Sequence, residues 1–260
     1  MAAQFLHPVG QGSANPANGL QQDNRVAMAG MTAADHVPAP VRVLASFGQV
    51  VVPPTETVPA RLLRWAAPVS LHVAGAQAPE VGQLAAYQIS RILAHTGMTL
   101  VGNGTAGAGQ IIVLIVNTLG PSSLDGELDL LGTFWGDANS PAAARRMFAS
   151  DVTSPVVVNL RSLVRWVARP DGRLERALVL IEGGPYNTEF DRRFRRELTR
   201  SVGIQGYSIG TQHSLFNLNS LALDLTALDI RVLQTFYDSR LVTGMDRDSS
   251  LRTATQILAG

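Results

Sequence analysis

The chain contains no cysteine. Disulfides, thiolate nucleophiles and cysteine-ligated zinc are thereby removed together. The compartment stays open, because many periplasmic proteins also lack cysteine. A charge imbalance is missing too: 21 basic and 20 acidic residues leave a formal net charge of +1. That balance argues against a bulk electrostatic partner such as nucleic acid or an anionic membrane. No apolar run approaches the roughly 18 residues needed to span a bilayer, and the longest, Ile111 to Val116, reads as a buried strand. The opening stretch MAAQFLHPVGQGSANPANG has no basic segment followed by an apolar one, so no signal peptide is visible.

What is present suffices for a core. The 260 residues are 46% hydrophobic and 16% charged, with 24 glycines and 14 prolines marking many loops. This suits one large domain, or one domain with an extended arm. Residues 1–59 read as the arm, rich in Gly, Ala, Pro, Asn and Gln and without sustained periodicity. Within it, Val41 to Leu44 and Gln49 to Val52 are expected as single strands laid on a neighbour. An ordered arm without its own core borrows one, from its own domain or from a partner subunit. Residues 60–260 form the expected globular domain.

In that domain Val69, Leu71 and Val73 alternate with Ser70 and His72, which predicts a half-buried strand over Val69 to Ala74 with His72 outward. Glu80 to Thr96 is an amphipathic helix ending at Gly97. Gly102 to Gly109 is a glycine-rich turn leading from helix to strand. A phosphate-binding loop needs the reverse order, so a nucleotide site is excluded there. Strands are expected over Gln110 to Asn117, Pro155 to Leu160 and Arg176 to Glu182, with Pro170-Asp171-Gly172 as a turn. Leu119 to Asn139 is an irregular insert. Its acids Asp125, Glu127 and Asp129 do not match a calcium loop. Ser140 to Phe148 reads as a short helix. Thr226 and Asp229 form a capping box at the head of a further helix, and Arg247 to Leu258 is the last one.

The most structured signal is Thr188 to Ile204, TEFDRRFRRELTRSVGI. Phe190, Phe194, Leu198 and Val202 recur every four residues and define one apolar stripe. Arg192, Arg196 and Arg200 stack on the other side, which predicts a helix with a cationic face turned toward something else. Either Glu197 pairs with Arg193 or Arg200 and the remaining arginines are solvated, or the row meets a partner.

Farther on, Leu225-Thr226-Ala227-Leu228-Asp229-Ile230, then Gln234 and Phe236-Tyr237, resembles the C-terminal helix pattern of the matrixins, a group of metzincin zinc peptidases. Ser214-Leu215-Phe216-Asn217 stands where their Met-turn lies. Glu197 to Ile204 and Phe236 to Met245 resemble segments of a bacterial family of unknown function with a zincin-like core. The resemblance implies an α+β fold: a mixed sheet of about four to five strands packed on two long helices, with C-terminal helices. It also implies a periplasmic location.

A metzincin site uses H-E-x-x-H-x-x-G-x-x-H, three zinc ligands and a glutamate base. Laid on this chain by Glu197 and Gly203, the ligand positions fall on Arg196, Arg200 and Gly206. Arginine stays protonated and offers no lone pair, and only His213 lies nearby. No metal, no cofactor and no catalytic residue are expected. No G-x-S-x-G elbow offers another nucleophile. The reading is a catalytically inactive metzincin-like domain serving as a binding or accessory subunit, its arm lying on a protein partner. The binding residues expected are Arg193, Arg196, Glu197 and Arg200. The alternatives are a peptidase or hydrolase with an unusual site around Glu197, and a small-anion or carboxylate binder using Arg196 and Arg200.

Overall fold

In the computed structural model, the described residues are 38–54, 60–75, 77–102, 108–119, 160–211 and 213–260. They belong to one compact unit, Pro38–Gly260. The expectations for Leu119–Asn139, Ser140–Phe148 and Pro155–Leu160 fall almost entirely outside these residues, as does the middle of the glycine-rich turn.

The architecture is α+β. Strands β1 (Val69–Gly75), β2 (Leu100–Val101), β3 (Gly109–Val116), β4 (Ser162–Ala168) and β5 (Leu174–Glu182) form one sheet in the order β2-β1-β3-β5-β4. All neighbours are parallel except β4, which runs antiparallel to β5 at the edge. β3 is the centre of the sheet, and its run of six aliphatic residues is buried on both faces, as a doubly covered parallel strand requires. Ile111, Val113 and Ile115 join the main core; Ile112, Leu114 and Val116 join a second cluster with Leu163, Leu178 and Leu180. Alternation at period two therefore sorts one strand between two cores.

Five helices accompany the sheet among the described residues: α1 (Pro40–Val50), α2 (Ala78–Thr96), α3 (Thr188–Arg200), α4 (Ala227–Phe236) and α5 (Arg247–Ala259). None is long and apolar enough to cross a membrane. The expected strands at Val41–Leu44 and Gln49–Val52 are corrected by α1. Pro40 opens it, and Val43, Phe47 and Val50 bury one face at helical spacing against α4 and α5. α2 matches its expectation and ends at Gly97, whose φ is +72°. α4 has its capping box, with the Thr226 hydroxyl accepting from the Asp229 amide.

Candidate functional site

α3 is the structural centre of the site. Asn187 caps it, its side-chain oxygen accepting from the Phe190 amide at 2.9 Å. Phe190, Phe194, Leu198 and Val202 are buried as the stripe requires. The opposite side departs from expectation. Arg193, Arg195, Arg196 and Arg200 are also buried, while Arg192 is half-buried. The cationic side is folded inward, and each buried guanidinium finds a counterion or a carbonyl.

Arg195 Nε donates to Asp191 one turn back at 2.8 Å and reaches Gln88 of α2 at 3.3 Å. Arg193 Nη2 donates to the Glu182 carbonyl at 2.9 Å. Glu197 is 0% exposed and receives Arg196 Nε on one oxygen at 2.9 Å and Arg200 Nη1 on the other at 2.7 Å. Of the two pairings anticipated for Glu197, Arg200 is observed and Arg193 is replaced by Arg196. Burial pushes the Glu197 carboxyl up, but the charges and hydrogen bonds of Arg200 and Arg196 outweigh it and hold the group below 4.5.

Arg200 is the most heavily engaged residue of the site. Its guanidinium lies 4.1 Å from the Tyr207 ring centroid and 5.6 Å from that of Trp166. Nη2 donates to the Gln205 carbonyl at 3.1 Å, and Nη1 also donates to the Tyr207 hydroxyl. Trp166 Nε1 in turn donates to the Arg200 carbonyl at 3.3 Å. Burial first, and the Glu197 charge next, push the Tyr207 hydroxyl up to about 12. The planar guanidinium suits this stacked position as an ammonium would not. All 21 basic residues of the chain are in fact arginine.

After α3 the chain turns at Gly203, where φ is +108° and a Cβ would lie 2.2 Å from the Leu63 carbonyl oxygen. The next residues are sealed against the end of α1. The amides of Gln205 and Gly206 both donate to the Val50 carbonyl at 2.8 Å, and Gln205 Nε2 donates to the Val51 and Arg61 carbonyls. At Gly206 a Cβ would come within 2.2 Å of the Gln49 carbonyl oxygen. His213 is exposed. A zinc ion of the kind the resemblance implies does not fit these residues. Two of the three ligand positions are protonated arginines, and the third has no room for a side chain. Among the described residues no cluster of three or more His, Asp or Glu could hold a metal.

The segment after the site is tied down from α4. Asp229, fully buried, accepts from the Ser214 hydroxyl at 2.6 Å, the Leu215 amide at 2.9 Å, and the Thr226 amide and hydroxyl at 3.0 and 2.8 Å. Phe216, in the same segment, is 0% exposed. Burial raises the Asp229 carboxyl, against the pull of these hydrogen bonds. Asp229→Ala is expected to lower unfolding free energy by about 2–3 kcal/mol, from the lost cap and the orphaned donors. Thr226→Ala should lose only about 1 kcal/mol. Urea unfolding of the two variants checks the order.

The sequence pattern missed α1 and β4 as parts of the site. The spacing Pro40, Val43, Phe47, Val50 carried the helix signal. Trp166 and Tyr207, flanking the arginines, were the available sign of stacked guanidinium.

Neither the curated proteins nor the solved structures provide a match. A family described as "Protein of unknown function (DUF2927)" matches residues 49–255, from the end of α1 into α5, and this description names no zinc peptidase. Covering most of its length, the match makes this chain a member of the DUF2927 family.

Proposed function

We propose that this protein is a catalytically inactive, metzincin-like binding domain that serves as an accessory subunit of a protein assembly. The observation that carries the reading is the closure of Glu197. In a zinc peptidase a glutamate at this position would take a proton from metal-bound water. Here both of its oxygens accept from buried arginines, and among the described residues no group of three or more His, Asp or Glu could hold a metal. The order β1, α2, further strands, α3, turn, α4 supports the likeness to the metzincin core. A scaffold retained without its reaction retains its surface, which is the basis for assigning recognition. The Gly-, Ala- and Pro-rich residues ahead of Pro38 are the part we assign to partner contact, on composition.

Two experiments test the reading. Elemental analysis with a peptide-library cleavage assay should give neither stoichiometric zinc nor cleavage. Zinc at one equivalent, with cleavage lost in Glu197→Gln, would restore the peptidase alternative. Pull-down from the native source should return a defined complex that a variant lacking residues 1–37 fails to form. A strictly monomeric protein without a partner contradicts the accessory role.

A further inference from the structure

We draw no further inference here: the strongest candidate, the second apolar face of the sheet formed by Ile112, Leu114, Leu163, Leu178 and Leu180, carries none, because nothing among the described residues shows what covers it.

Discussion

Glu197→Ala should lower the unfolding free energy by about 3–5 kcal/mol, because it leaves two buried guanidinium groups without their counterion. The carboxylate is fully enclosed, and Arg196 and Arg200 are each only about a twentieth exposed at 5% and 6%. Neither guanidinium can swing freely into water to recover hydration. Urea denaturation monitored at two wavelengths measures the loss, and a coincident midpoint at both confirms one transition. The pH dependence carries the same information. The folded-state value of Glu197 lies below the ordinary 4.5. Its contribution is therefore complete above the unfolded value and is lost as pH falls through the folded one. Wild-type stability should drop on acidification below about pH 4.5. Glu197→Gln should be less stable at neutral pH and show a shallower acid slope.

The second large effect is expected at Gly203. Gly203→Ala combines a left-handed backbone with a Cβ placed 2.2 Å from the Leu63 carbonyl oxygen and 3.1 Å from the Phe236 ring. The carbonyl is backbone and cannot rotate away. A loss of about 3 kcal/mol or more is expected from the conformation and the overlap together. Gly102→Ala, where a Cβ meets nothing within 4 Å and φ is not left-handed, should change stability by less than about 1 kcal/mol. Parallel thermal melts of the two variants give the comparison. Gly203 thus has a structural duty of its own: it lets the chain leave α3 against the Leu63 carbonyl.

How far the sequence reveals this arrangement can be judged residue by residue. The stripe Phe190, Phe194, Leu198, Val202 was legible, because helical period is a local property. The Thr226–Asp229 box was legible for the same reason. The fate of the arginines was not. A periodicity count assigns arginine to solvent, whereas here Trp166 from β4 and Tyr207 from the following loop close over Arg200. Those contacts join residues far apart or across a turn, and no local rule anticipates them. The helix α1 was hidden by its short length and by Gly48 in its last turn, close to Leu251 of α5. Its end is sealed against Gly206, whose amide donates to the Val50 carbonyl, a contact only the folded chain could reveal.

Glu197, Arg196 and Arg200 form a buried electrostatic unit, with a guanidinium group on each carboxylate oxygen. Its most direct test compares urea unfolding of the wild type, Glu197→Ala, and a triple variant carrying Arg196→Met, Glu197→Leu and Arg200→Met. Replacing a whole buried ionic unit by apolar residues commonly costs little, whereas removing one partner is severe. The triple variant is expected to retain more stability than Glu197→Ala. A Glu197→Ala protein as stable as wild type, or a triple variant no better than the single one, would contradict it.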